Sequence, residues 1–197
     1  MKNKWDEKYS SEEYFFGTEP NDFLKEEIEK LPSGKALFIG DGEGRNSVFA
    51  ATLGWNSDAI DLSSVGKEKA LKLAEEKNVE INFKIAEALN YNYPSETYDA
   101  VAIIYFHVEK KLREEFNRKI TKTLKPNGSL ILLVYDEEHL KNESNGPSDI
   151  NLLYTLSEIA EDFIDFDFTT FAQEQLKRVK KGLEQESTII KFVGKKI

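Results

Sequence analysis

The chain has 197 residues, no cysteine, and 36 acidic against 27 basic side chains, for a net charge of −9. This length fits one domain, which would bury roughly 70% of its unfolded surface. Disulfides, thiolate zinc sites and a cysteine nucleophile are excluded, two histidines (His107 and His139) speak against a metal site, and the acidic balance speaks against nucleic acid.

Residues 1–20 are crowded with aromatics (Trp5, Tyr9, Tyr14, Phe15, Phe16) but show no clear period. They read equally as a lid or as rings plugging the edge of the core. Thr18-Glu19-Pro20-Asn21 predicts a helix start, with Pro20 tolerated in the first turn. Phe23, Leu24, Ile28 and Leu31 give that helix an apolar face. A strand is predicted over 35–39, then a glycine turn, then a helix to about Leu53 closed by Gly54.

Residues 57–61 predict a second strand ending on Asp61, and Ser63 or Ser64 can cap the next helix. Residues 81–85 alternate as a third strand. Residues 98–106 are almost wholly apolar, as a central parallel strand buried on both faces should be. A helix over about 109–124 and the turn Lys125-Pro126-Asn127-Gly128 lead to a strand over 129–135. Thr155-Leu156-Ser157-Glu158 is a capping-box pattern. Strands at 164–169 and 187–193, with no full helix between them, predict an antiparallel hairpin at one edge. The alternation therefore predicts an α/β, Rossmann-like, doubly wound and mostly parallel seven-stranded sheet with helices on both faces.

Gly40, Gly42 and Gly44 break the first strand into the following helix, where positive φ and close approach favour glycine. The spacing GxGxG, with Arg45 where a dinucleotide fingerprint wants its last glycine, departs from GxGxxG. Its fillers Asp41 and Glu43 suit an uncharged or cationic ligand better than a phosphate. The same turn also reads as a plain strand-to-helix connection with no ligand. In an open α/β sheet ligands bind beyond the carboxyl ends of the strands. Three groups meet there: Gly40-Asp41-Gly42, Asp61, whose distance beyond the turn suits ribose hydroxyls, and Glu87.

These residues resemble the class I S-adenosylmethionine-dependent methyltransferases, in particular the small tellurite-resistance-type group. The likeness rests on Trp5-Asp6-Glu7-Lys8-Tyr9, Tyr14-Phe15-Phe16-Gly17 and Pro20-Asn21-Asp22-Phe23-Leu24, then Gly42-Glu43-Gly44-Arg45-Asn46-Ser47 and Ala59-Ile60-Asp61-Leu62-Ser63. It extends through Ile85-Ala86-Glu87-Ala88, Leu124-Lys125-Pro126-Asn127-Gly128, Asn145-Gly146-Pro147 and residues 188–195. The resemblance implies that Gly40, Asp41 and Gly42 line the methionine end of S-adenosyl-L-methionine, within a nucleoside-binding turn that includes Asn46. It further implies that Asp61 holds the ribose, Leu62 packs on adenine, Glu87 and the backbone of Ala88 meet the adenine edge, and Tyr105 approaches the sulfonium. The sequence departs from the family pattern at Phe38, where an acidic residue is usual and for which Asp41 is a possible substitute, and at Gln185, where a histidine is usual.

The reading is a methyltransferase acting on a small-molecule acceptor, with S-adenosyl-L-homocysteine as product. A soft sulfur, selenium or tellurium nucleophile needs no base; an oxygen or nitrogen acceptor needs one, and His107 is the candidate. The alternative is a catalytically inactive nucleoside-binding or interaction protein of the same fold, and a dehydrogenase is disfavoured by the glycine spacing. A single domain over 1–197 is expected, cytoplasmic, monomeric or homodimeric, without metal, membrane or nucleic-acid partner; the basic cluster at 177–181 reads as solvated surface.

Overall fold

The computed structural model describes residues 2–141, 146–180 and 183–197, with side chains at 4–141, 146–177 and 186–197. Helices α1 (Lys2–Tyr9) and α2 (Asp22–Ile28) precede the first strand, β1 (Lys35–Ile39). Then α3 (Arg45–Thr52), β2 (Asn56–Asp61), α4 (Ser64–Glu76), β3 (Asn82–Ile85), β4 (Tyr98–Ile104), α5 (Lys110–Thr123) and β5 (Leu124–Tyr135) follow. The chain ends with α6 (Leu156–Asp162), β6 (Phe166–Lys180) and β7 (Leu183–Lys196). The strands form one sheet in the order β3-β2-β1-β4-β5-β7-β6.

Strands β1 to β5 pair in parallel, whereas β7 runs antiparallel to both β5 and β6. The predicted fold class is thus the observed one. The order reverses between β1 and β4, so the switch point lies directly beyond the glycine turn.

Alternation along β1 divides the core. Leu37 and Ile39 face the layer holding Phe116, Ile120 and Phe163 of and beside α5 and α6. Ala36 and Phe38 face the layer holding Phe23, Leu24 and Ile28 of α2 and Ala50 of α3. Phe38, 1% exposed, is a core side chain here.

Several boundaries differ from expectation, each for a local reason. Asn21 caps α2 by accepting from the Leu24 N–H (3.3 Å), so the helix starts after Pro20 rather than on it. The predicted turn at 125–128 lies within β5 as a bulge, because Leu124 pairs with Tyr98 while Ser129 pairs with Ala100. Ser63 caps α4 through the Gly66 N–H (2.9 Å), and the Thr155–Glu158 capping box is formed. The final hairpin is much longer than 164–169 and 187–193. Beyond the pairing of Tyr135 with Ile189, β6 and β7 continue as a two-stranded ladder past the carboxyl end of β5, where the Asp136 N–H still donates to the Thr188 carbonyl (3.0 Å). Lys177 pairs with Glu186 there (2.8 Å). Asn145 and Lys181 lie outside the described residues, as do the side chains of Arg178, Lys180 and Gln185.

Candidate functional site

The turn after β1 is built on positive φ at Gly40 (67°), Gly42 (59°) and Gly44 (85°). Each also receives a neighbour that a Cβ would strike: the Phe106 ring at Gly40, the Tyr9 hydroxyl at Gly42 and Ala70 at Gly44. The Gly40 N–H donates to the Ile60 carbonyl (2.8 Å), which carries the β1–β2 ladder into the turn.

Asp61, at the end of β2, ties the turn to its own strand. Its Oδ2 accepts from the Gly42 N–H (3.0 Å) and its Oδ1 from the Ser63 N–H (2.8 Å). Burial raises its carboxyl pKa, against the pull of those backbone donors. Leu62 follows, half-buried. The register Asp61↔Ile85 and the Ala86 N–H donating to the Asp61 carbonyl (2.9 Å) put the end of β3 on the same rim. Glu87 is exposed there and accepts from the Asn90 side chain (2.7 Å), while Ala88 is buried and its carbonyl accepts from the Tyr93 hydroxyl (2.9 Å). The glycine turn and the residues beyond β2 and β3 that sequence reasoning grouped therefore share one edge of the sheet.

The two acidic fillers of the turn have opposite fates. Glu43 pairs with Lys69 of α4 (2.6 Å), and its other oxygen accepts from the Phe15 N–H (2.8 Å). Lys69 in turn donates to the carbonyls of Tyr9, Ser11 and Glu13. Arg45 donates to the Phe16 carbonyl (3.1 Å), and Asn46 Oδ1 accepts from the Asn21 N–H (3.0 Å). Glu43, Arg45 and Asn46 thus fasten the N-terminal segment to the turn, a role that no local motif discloses. Asp6 adds to this by accepting from the Ser63 hydroxyl (2.6 Å).

Asp41 is different. It is 9% exposed, and neither carboxylate oxygen has a hydrogen-bond partner. The nearby Ser47 hydroxyl is given to the Gly44 carbonyl (3.3 Å). Burial pushes the Asp41 carboxyl up to about 7; Asp61 adds to the rise, while Ser47 and Arg45 oppose it. Asp41 also lines a cavity of about 10 Å³, together with Phe38, Ile39, Gly40, Asn46, Ala102 and Ile104.

At the ends of β4 and β5 the chemistry is aromatic. Tyr105 holds φ +56° and lies against Tyr135, ring centroids 5.0 Å apart. His107 Nε2 accepts from the Tyr135 N–H (3.2 Å), and burial, with Arg113 next, pushes the imidazole down to about 4. That lone pair is already engaged, so the histidine singled out as a candidate base acts as a clamp between strand ends. His139 is buried against the Tyr135 ring at 4.3 Å. Among the described residues no group of three or more His, Cys, Asp or Glu is placed to hold a metal, and no helix is long and apolar enough to cross a membrane.

Residues 36–128 match the family model described as a methyltransferase domain. No curated protein matches the sequence. Among solved structures, a protein that converts a disulfide bond into a thioacetal group during echinomycin biosynthesis is 16% identical with a TM-score of 0.77, over 100% of this chain and 91% of that one. TehB from Haemophilus influenzae is 14% identical with a TM-score of 0.76, over 100% of this chain and 67% of its own. A SAM-dependent methyltransferase from Methanosarcina mazei is 16% identical with a TM-score of 0.66, over 91% and 99%. The fold is that of the class I methyltransferases. Within the methyltransferase-domain match lie the glycine turn, Asp61, Glu87 and Tyr105, while the N-terminal fastening and the terminal hairpin fall outside it. At these identities the structural likeness is one of fold, and the activity must be argued from the site.

Proposed function

We propose that the protein is an S-adenosylmethionine-dependent methyltransferase acting on a small-molecule acceptor. The observation that carries this reading is the bond between the Gly42 N–H and Asp61, which brings a glycine turn and a ribose-height carboxylate to the switch point of the sheet. The residues fit the cofactor in charge as well as in place. A buried carboxylate without a partner, Asp41, suits a cationic ligand, and Asp61 retains lone pairs beyond its two backbone bonds. Gly40, Asp41 and Gly42 would hold the methionine end, Asn46 would brace the turn, Asp61 and Leu62 would hold the ribose and adenine face, and Glu87 and Ala88 the adenine edge. Tyr105 and Tyr135 would face the sulfonium, whose positive charge aromatic rings favour.

When bound, the cofactor supplies an activated methyl group and its own leaving group. The chain's task is then orientation and exclusion of water. Holding the reacting atoms in line contributes on the order of 7–11 kcal/mol without any proton-transfer residue. His107, with its lone pair occupied, is unsuited to deprotonate an acceptor. An acceptor already ionised and soft, a reduced sulfur, selenium or tellurium species, fits such a site best. Residues 1–20, fastened through Glu43 and Lys69, would cover it.

The test is calorimetric titration with S-adenosylhomocysteine, with expected saturable binding that Asp61→Ala weakens at least tenfold, as expected for a lost charge-assisted hydrogen bond of about 1.5–3 kcal/mol. Unchanged affinity in the variant refutes the assignment of Asp61. The second reading, a nucleoside-binding or interaction protein without catalysis, draws on Phe38 as a core residue where the family has an acid. It predicts cofactor binding without product formation against any acceptor of an ionised-nucleophile panel.

A further inference from the structure

Away from the glycine turn, the chain crosses from β3 to β4 without a full helix. The crossover has one short 3-10 turn, Ala88–Asn90, and then runs irregularly to Thr97. It is fastened to the end of α5, where the Glu96 and Thr97 N–H groups donate to the carbonyls of Lys122 (3.0 Å) and Thr123 (2.8 Å), and the Tyr93 ring packs edge-on to Phe116 (centroids 6.4 Å). Between these two fastenings lies a cleft of about 190 Å³, with Tyr91, Asn92 and Tyr93 on one wall and Arg118, Lys119 and Lys122 of α5 on the other. That is more than ten times the roughly 10–15 Å³ that admits one water, yet less than a drug-sized ligand needs.

The charges of α5 are unevenly answered. Its six cations include Lys110 and Arg113, which pair with Glu158, Lys111, which pairs with Glu109 (2.8 Å), and Lys119, which pairs with Glu115 (2.8 Å). Arg118 and Lys122 are the two left, and among the described residues neither side chain makes an ion pair or a hydrogen bond. Both line the cleft, one turn apart, where like charges repel. Glu115 faces Lys119 and also feels Arg118, and Glu96 is exposed on the crossover. Three cleft cations against the one carboxylate of Glu115 leave two positive charges, in a chain whose net charge is −9. Opposite them the rings of Tyr91 and Tyr93 meet edge to face (5.0 Å), with the Lys84 ammonium at the Tyr91 hydroxyl (3.4 Å).

We propose that this cleft binds a small, soluble phosphomonoester, its dianionic phosphate between the Arg118 guanidinium and the Lys122 ammonium and its organic body against Tyr91 and Tyr93. A planar fork beside a point charge suits a tetrahedral dianion, and the rings supply an apolar face next to it. Lys119, held by Glu115 and by the Leu89 carbonyl (3.0 Å), frames the site. The inference is independent of the methyltransferase reading, because no residue lining the cleft belongs to the cofactor rim.

The experiment is calorimetric titration with phenyl phosphate, with inorganic phosphate as the second probe. Phenyl phosphate should bind one per chain with Kd about 0.1–1 mM, and inorganic phosphate about fivefold or more weaker. Arg118→Gln combined with Lys122→Gln should weaken phenyl phosphate by about tenfold or more. Lys72→Gln combined with Lys77→Gln, which removes the same charge from exposed positions on and beside α4, should leave it within about twofold. Tyr91→Leu should bring phenyl phosphate to the level of inorganic phosphate. Thermal melts confirm that the variants fold. No saturation up to about 10 mM, an unchanged affinity in the Arg118/Lys122 variant, or an equal loss in the Lys72/Lys77 variant overturns the site. Equal binding of the two probes overturns the part given to the tyrosines. Co-sedimentation with phosphatidic acid vesicles that the Arg118/Lys122 variant loses overturns a soluble ligand in favour of a lipid headgroup.

Discussion

Two buried charges stand at the rim of the same sheet and are treated in opposite ways. Arg113 of α5, 3% exposed, gives its Nε to the Val108 carbonyl (2.9 Å), its Nη2 to the carbonyls of Asn151 (2.9 Å) and Leu153, and its Nη1 to Glu158 (3.1 Å). Its guanidinium also lies 3.6 Å from the centroid of the Tyr154 ring. Asp41, across the switch point, is buried with neither oxygen in a formed hydrogen bond and only the neighbouring Ser47 and Arg45 to favour its charge. Burying a charge is expensive in both places. Where four of five donors are answered, the charge belongs to the architecture; where both oxygens are left open in a residue that lines a cavity, the fold bears a cost that a ligand can relieve.

The largest effect should come from breaking the satisfied charge. Arg113→Met removes the cation that joins α5, the segment at 151–153 and the start of α6, and strands the Val108, Asn151 and Leu153 carbonyls. A loss of about 3–5 kcal/mol is expected in chemical denaturation, enough to threaten folding in a domain of ordinary stability. A loss below about 1 kcal/mol would show that those carbonyls find water as readily as they find the guanidinium.

The complementary change should go the other way. The folded protein holds the Asp41 proton up to about pH 7, whereas the carboxyl's ordinary value is 3.8. Stability from this group is therefore fully present below pH 4 and is lost as pH rises through about 7. The full interval corresponds to at most about 4 kcal/mol. Asp41→Asn should accordingly stabilise the ligand-free protein at pH 8 relative to the unmodified chain, with the difference shrinking toward zero near pH 4. Denaturant midpoints across that range measure it. A variant less stable at pH 8 would mean that the carboxylate has a structural partner after all.

These two sites also mark what the sequence discloses. β1 was legible to the residue because an apolar run ends abruptly in glycines, and the Thr155–Glu158 capping box because both of its bonds are local. By contrast α1 has no apolar period to read. It is held by Asp6 on the cap of α4 and by Lys69 reaching the Tyr9 carbonyl, partners distant in sequence. The length of the β6–β7 hairpin was hidden for a related reason: past Ile189 each strand pairs with only one other and few of its side chains, Leu176 and Thr188 among them, reach the core, so the alternation that betrays a strand weakens. Within the site, Asp41 and Glu43 are chemically alike and two residues apart, and the approach of Lys69 and of the Phe15 N–H to Glu43, both distant in sequence, sets them apart. His107 looked like a base because it follows a buried strand; its engagement with Tyr135 depends on the parallel pairing of β4 with β5.

That last contact gives the smallest effect and the sharpest separation of structure from chemistry. His107→Ala leaves the Tyr135 N–H without its acceptor, and an unsatisfied amide at a strand end costs about 1–3 kcal/mol, toward the lower end here because the site is only partly enclosed. Asn, shorter but able to accept, should recover part of it. If His107 is a clamp, the pH dependence of methyl transfer to an ionised acceptor keeps its shape in both variants, since an imidazole held down to about 4 is neutral across the working range. A profile that loses a limb in His107→Ala would return the residue to the reaction. The acceptor would then be one that needs a base, and the orphaned carboxylate would be the satisfied charge's counterpart in binding alone.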